Sequence, residues 1–180
     1  MTMKNIETCE LCGKNLPVYT TADGKYVCKD CLIKAGYLPG KNLSYFPFSM
    51  FKNSFDRMEQ FSETDRVGNM LSIDSVHHLW RCPINHDGCH DFKEIISWKI
   101  IENTDVQKNG PTRWIGKIPG MGGEVCNSLR LQITLSGKEE ITEYLNFVVA
   151  TVNKSSRLYK DSYDLMHQCI AKLEGMKKVG

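Results

Sequence analysis

Two CxxC pairs stand near the start of the chain, in the segment CELCGKNLPVYTTADGKYVCKDC of residues 9–31. The paired cysteines are Cys9, Cys12, Cys28 and Cys31. Thiolates at this spacing converge on one tetrahedral ion at Zn–S distances of about 2.3 Å, and they leave no position for a substrate. A redox CxxC would need a βαβ context around a single pair, and the sequence offers none. The pattern therefore predicts a structural Zn²⁺ site.

The residues around these pairs predict a zinc ribbon or small treble clef over residues 1–37. Residues 16–20 and 25–27 flank an Asp-Gly turn signal, which favours a β-hairpin between the two knuckles. A short helix is expected after the second pair, with Gly36 at its end. A segment of this size buries too little apolar surface to fold alone, so the metal is expected to supply its folding energy.

A second group of metal-ligating residue types lies in RCPINHDGCHDF, residues 81–92. Its members are Cys82, His86, Cys89 and His90. Cysteine and histidine at such spacings can hold zinc, so a second, smaller metal site is one hypothesis. The alternative is an ordinary turn, since the segment contains Asp-Gly and cysteine also packs as a small apolar residue.

Basic and aromatic residues of the ribbon allow a nucleic-acid interpretation. Lysines would contact phosphates and tyrosines would stack on bases, and the candidates are Lys14, Lys25, Lys29, Lys34, Tyr19 and Tyr26. The formal net charge of the chain is only +2, which is a weak field for nucleic acid. Counter-charges to a thiolate cluster are the favoured interpretation of these lysines.

Residues 38–63 read as a linker that contains an amphipathic helix. Phe51, Phe55, Met58 and Phe61 recur at helical spacing and form one apolar face. Such a face usually docks on a neighbouring domain. The alternative is that it waits for a partner groove.

Beyond residue 64 the apolar period changes from that of a helix to that of strands. Alternating apolar residues occupy 129–135 and 145–149, and turn residues separate such runs, which is typical of antiparallel strands. A long amphipathic helix is expected over about 157–176. We therefore expect an α+β fold in which a partly open antiparallel β-barrel over residues 64–180 is closed at one end by a C-terminal helix.

The chain resembles two known families. The segment CELCGK…VCKDCLIKAG is similar to a zinc-ribbon family of unknown function from Gram-positive bacteria and their phages. The segments HHLWRCP, FKEIISWKIIEN, LRLQITLSG and YLNFVVAT are similar in order to the bacterial pleckstrin-homology-like domains that follow that ribbon. The resemblance implies a binding scaffold without known catalytic residues.

The absence of several sequence signatures narrows the classes of function that we expect for this protein. No nucleophile, metalloprotease or phosphate-loop signature is present, and no apolar leader or run long enough for a membrane span occurs. We expect a non-enzymatic cytoplasmic zinc protein, in a bacterial cell or a phage-infected host. It would act as a regulator, adaptor or inhibitor on a protein partner, for instance a phage-encoded inhibitor of a host defence complex. Nucleic-acid binding by the ribbon and membrane-headgroup binding by the barrel are the alternatives.

Overall fold

The computed structural model describes residues 8–14, 19–106, 124–136 and 141–180. The chain divides into two compact units, Met1–Phe92 and Lys93–Gly180. Residues 16–18 of the expected first hairpin strand lie outside the described residues. The fold is mixed α and β, with antiparallel sheets in both units and a long helix at the C-terminus.

The first unit begins with a hairpin and two helices. Their bounds are β1 Tyr19–Thr20, β2 Tyr26–Val27, α1 Lys29–Lys34 and α2 Phe48–Gln60, with a 3₁₀ helix at Leu43–Tyr45. Gly24 takes a φ of +74° in the tight turn between β1 and β2, a conformation that glycine adopts at little cost. The Sγ atom of Cys28 caps α1 by accepting the Cys31 N–H, so a cysteine of the predicted site also fixes where the helix begins.

The expected linker is part of the core of the first unit. Phe51 is fully buried in a cluster that also contains three of the four CxxC cysteines. Its ring lies 4.9 Å from that of Tyr37, and Phe55 packs against the same cluster. Met58 and Phe61 are half-buried. The helical face therefore docks on the ribbon, and residues 38–63 do not form a free connection with an aromatic stripe open to a partner.

A small antiparallel sheet completes the first unit. Its strands follow the order β3-β4-β5-β6, with bounds β3 Asp65–Val67, β4 Leu71–Asp74, β5 Leu79–Arg81 and β6 His90–Asp91. Every residue of β4 is buried, which accords with an inner position among its neighbours.

The second unit is a four-stranded antiparallel sheet with one long helix. Its elements are β7 Ile95–Val106, β8 Glu124–Leu135, β9 Ile141–Val148, β10 Val152–Asn153 and α3 Arg157–Val179. Leu129, Leu131 and Ile133 of β8 are fully buried. The buried face of α3 includes Met166 and Leu173. The predicted C-terminal helix is confirmed and runs three residues further than expected.

The expected barrel is not closed. In the described residues the strands after residue 64 form two separate sheets, β3 to β6 and β7 to β10. In the second sheet β9 and β10 both pair with β8, at different parts of its length, while β7 takes its other side. The predicted domain boundary at residue 64 also differs from the division after Phe92, because the short strands β3 to β6 belong to the first unit.

Candidate metal centre

The four cysteines of the two CxxC pairs come together at one point. The Sγ atoms of Cys9, Cys12, Cys28 and Cys31 all lie within 4.8 Å of one another, and those of Cys12 and Cys28 are 3.7 Å apart. Cys9, Cys28 and Cys31 are buried and Cys12 is exposed. The arrangement that the spacing predicted is confirmed: four sulfur ligands converge at the edge of a core.

Backbone N–H groups hold two of the sulfur atoms in place. The Cys28 N–H donates to Cys9 Sγ at 3.3 Å, and the Cys31 N–H donates to Cys28 Sγ at 3.4 Å. The first knuckle closes through the Gly13 N–H, which donates to the Cys9 carbonyl at 2.7 Å with Gly13 at a φ of +71°. Such outer hydrogen bonds orient metal ligands and stabilise the thiolate form.

Burial and hydrogen bonding shift the pKa values of Cys9, Cys28 and Cys31. Burial raises the pKa of Cys9, but N–H groups from Cys28 and from the first knuckle outweigh it, and the pKa falls to about 7. Burial raises the pKa of Cys28, and burial together with the neighbouring sulfurs raises that of Cys31. Four thiolates cannot share so small a volume unless a cation neutralises them. A divalent metal would supply that charge and displace the protons.

The lysines of the nucleic-acid interpretation are exposed, whereas its two tyrosines are half-buried. Lys25 is ion-paired with Glu10 at 3.2 Å, and Lys14, Lys29 and Lys34 are exposed. Both tyrosines are half-buried, and the Tyr19 hydroxyl accepts the Gly40 N–H at 3.1 Å. A half-buried ring with an engaged hydroxyl is a poor stacking platform, because a base needs access to the ring face.

The second cysteine and histidine group is not brought together in the described part of the chain. The ligand cluster found there contains none of Cys82, His86, Cys89 and His90. Cys82, Cys89 and His90 are buried, whereas His86 is exposed. The hypothesis of a second metal site therefore gains no support, and burial accounts for three of the four residues.

The 82–90 loop instead docks on the core of the first unit. The Cys89 N–H donates to Ser54 Oγ at 2.8 Å, and that hydroxyl donates to the Ala35 carbonyl at 2.7 Å. Gly88 has a φ of +97°, and a Cβ there would stand 2.6 Å from the hydroxyl oxygen of Tyr37. The loop thus fits closely between α2 and the end of α1.

Sequence reasoning missed Ser54, and it also missed a buried carboxylate. Asp74 is fully buried and accepts N–H groups from Ser62, Val76 and His77, while the Nδ1 atom of His77 lies 2.7 Å from it. Burial raises the pKa of Asp74, but these hydrogen bonds outweigh burial and lower the pKa to about 2. An aspartate at a strand end before a four-residue turn is a known signal for such bonding.

Comparisons with known proteins do not assign this chain to a family. No protein-family model, no curated protein and no solved structure matches the chain. Within the described residues, no helix combines the length and the apolar character that crossing a membrane requires.

Proposed function

We propose that Cys9, Cys12, Cys28 and Cys31 bind one structural Zn²⁺ ion. The observation that carries this proposal is the convergence of four sulfur atoms within 4.8 Å. Zinc prefers such a tetrahedral thiolate set, and four protein ligands leave no position for a water nucleophile or a substrate. The ion is therefore assigned to folding and not to catalysis.

The ion would stabilise more than the two knuckles. Cys9, Cys28 and Cys31 belong to the same buried cluster as Phe51 of α2, so ligands and core side chains share one packing unit. Metal binding to such a preformed set contributes directly to the free energy of folding.

The role that accords with this site is a non-enzymatic binding protein whose partner is a protein. The zinc unit exposes large apolar side chains: 80% of Tyr45, 50% of Leu38 and 49% of Ile33 are open to solvent. Apolar and aromatic surface is typical of protein interfaces. The half-buried tyrosines of the ribbon speak against base stacking. The zinc-ribbon and pleckstrin-homology-like resemblances stay predictions, and both accord with a binding role.

Metal content per chain tests the zinc site. Protein purified without chelator should contain one zinc per chain by mass spectrometry, and absorption of visible light would instead indicate iron. Cys12→Ser removes a ligand that is exposed, so the core keeps its packing, and the variant should lose its zinc to a competing chelator that the wild type withstands. Cys126→Ala in the second unit is the matched control and should keep its zinc.

Two outcomes would contradict the proposal. Wild-type protein without metal would remove the structural role of the cluster, and equal zinc retention in Cys12→Ser would place the ion elsewhere. Two ions per chain would revive the hypothesis of a site in the 82–90 loop.

A further inference from the structure

The long strand β7 lies at an edge of its sheet. It has 12 residues and, within the described residues, it pairs with β8 alone. The central strand β8 has the same length but pairs with β7 on one side and with β9 and β10 on the other. An edge strand presents a row of backbone N–H and C=O groups that can accept a further strand.

Several side chains of β7 are open to solvent. Ser97 and Lys99 are exposed, and 40% of Ile96 and 38% of Ile100 are accessible. On β8 every residue except Glu124 is buried or half-buried. Within the described residues, no strand pairs with the side of β7 away from β8 along this stretch.

One hydrogen bond fixes which backbone groups of β7 are free. The Ser136 N–H donates to the Glu94 carbonyl at 2.7 Å, and every second residue of β8 before Ser136 then also turns its backbone toward β7. Their partners on β7, which include Lys99 and Ile101, use their own groups on β8. The residues between turn their N–H and C=O groups outward, and these are Trp98, Ile100 and Glu102.

The charges beside these outward groups favour an acidic occupant. Lys99 is exposed and has no ion-pair partner among the described residues. Lys177 of α3 stands 5.7 Å from the centre of the Trp98 ring and donates to the Ile96 carbonyl. Glu102, at the far end of this stretch, is ion-paired with Lys154 at 3.0 Å, and Lys154 also pairs with Glu124.

We propose that the open edge of β7 between Trp98 and Glu102 accepts an extended segment of a partner protein as an added antiparallel strand. The segment carries apolar residues on the face of Trp98 and Ile100 and acidic residues on the face of Lys99. Strand addition gains affinity from main-chain hydrogen bonds and specificity from alternate side chains. This inference rests on the proposed role as a protein-binding protein, and it is independent of the zinc ion.

A second copy of this chain fits the edge less well. An exact two-fold axis through an antiparallel strand pair pairs only residues that lie on the same face, and Lys99 and Glu102 lie on opposite faces. The register that would place Lys99 opposite Asp105 also places Glu102 opposite its own copy. Like charges directly opposite each other destabilise a strand pair.

Amide hydrogen exchange by NMR, with two capped nine-residue peptides as probes, tests the edge. One peptide alternates valine and glutamate, and the other alternates valine and lysine. In the free zinc-loaded protein the amides of Trp98, Ile100 and Glu102 should exchange fast, while those of Lys99 and Ile101 are protected by β8. At ten times its Kd the glutamate peptide should slow exchange of the three outward amides about tenfold.

A charge exchange tests the role of Lys99. The exposed Lys99→Glu variant should lose protection by the glutamate peptide and gain it from the lysine peptide. Lys160→Glu, at an exposed position of α3, is the control and should behave as wild type.

The other outcomes overturn the proposal. Outward amides that are protected in the free protein and lose protection on dilution would assign the edge to a second copy, and protection at every concentration would assign it to this chain itself. Fast exchange that the glutamate peptide leaves unchanged would rule out strand addition at this edge. Equal protection by both peptides would rule out a preference for an acidic partner. None of these results depends on metal content, so failure here is distinct from failure of the zinc site.

Discussion

The hydroxyl of Ser54 is the contact whose removal should most clearly affect the first unit. It donates to the Ala35 carbonyl at 2.7 Å and accepts the Cys89 N–H at 2.8 Å, and the side chain is buried. Ser54→Ala leaves a buried carbonyl and a buried N–H without this partner. Each such group costs about 1 to 3 kcal/mol when it is left unpaired. We expect the free energy of unfolding to fall by about 2 to 6 kcal/mol, the sum for the two groups.

Urea unfolding of the zinc-loaded protein measures this loss. Trp80 is buried in the first unit, and replacing the other two tryptophans by phenylalanine makes its fluorescence report on that unit. Ser49→Ala, at an exposed position of the same helix, is the matched control and should change the stability by less than about 0.5 kcal/mol. Exchange of the Cys89 amide gives a local readout and should accelerate in Ser54→Ala.

A loss in Ser54→Ala no larger than that in Ser49→Ala, with Cys89 exchange unchanged, would refute this reasoning. It would mean that the two buried backbone groups find other partners, and that the loop from 82 to 90 is held by packing alone. A large loss of stability with unchanged Cys89 exchange would place the cost at the Ala35 carbonyl instead.

Three further predictions concern Gly88, Gly175 and Asp74. Gly88→Ala should destabilise the first unit by about 3 kcal/mol, because the backbone is strained and the new Cβ stands 2.6 Å from the Tyr37 hydroxyl oxygen. Gly24→Ala is the control, because its Cβ meets nothing within 4 Å. It should lower the free energy of unfolding by about 1 kcal/mol in the same urea titration. Gly175→Ala in α3, where a Cβ also meets nothing within 4 Å, should raise the thermal midpoint through a gain of about 0.5 to 1 kcal/mol. Folding lowers the pKa of Asp74 from 3.8 to about 2. Above pH 3.8 the ionised carboxylate therefore contributes about 2 kcal/mol to the free energy of unfolding. This contribution is lost as the pH falls through about 2. The stability difference between wild type and Asp74→Asn should therefore shrink along that pH range, and a constant difference would contradict this assignment.

The parts of the structure that could be predicted are those that local spacing determines. A CxxC pair brings its own cysteines together within one knuckle, and the hairpin between the pairs is short, so Cys9 and Cys31 meet as expected. The pattern of α3 is equally local, and the helix begins at Arg157 as expected. The apolar face of α2 that carries Phe51 could also be predicted from helical spacing, although the sequence did not show what packs against it.

The parts that could not be predicted depend on pairing between distant segments. Alternation shows that a segment is a strand but does not say which sheet it joins, so the division between the β3 to β6 sheet and the β7 to β10 sheet was missed. Ser54 carries no local signal, because its partners stand 19 and 35 residues away along the chain. The cysteines and histidines of the 82–90 loop gave a chemical signal, and three of them, Cys82, Cys89 and His90, are buried within the first unit.

The cysteine cluster and the Ser54 contact both involve the short helix α1. Cys28 caps the N-terminus of α1 and Ala35 caps its C-terminus, so the cysteine cluster and the Ser54 contact act on one short helix. Six residues are too few for a helix to be stable by itself, and its order must come from both ends. The Cys28 sulfur at its N-terminus and the buried Ser54 hydroxyl at its C-terminus therefore both stabilise it. The four-cysteine segment, α2 and the loop from 82 to 90 are on this argument parts of one folding unit, in agreement with the division of the chain after Phe92.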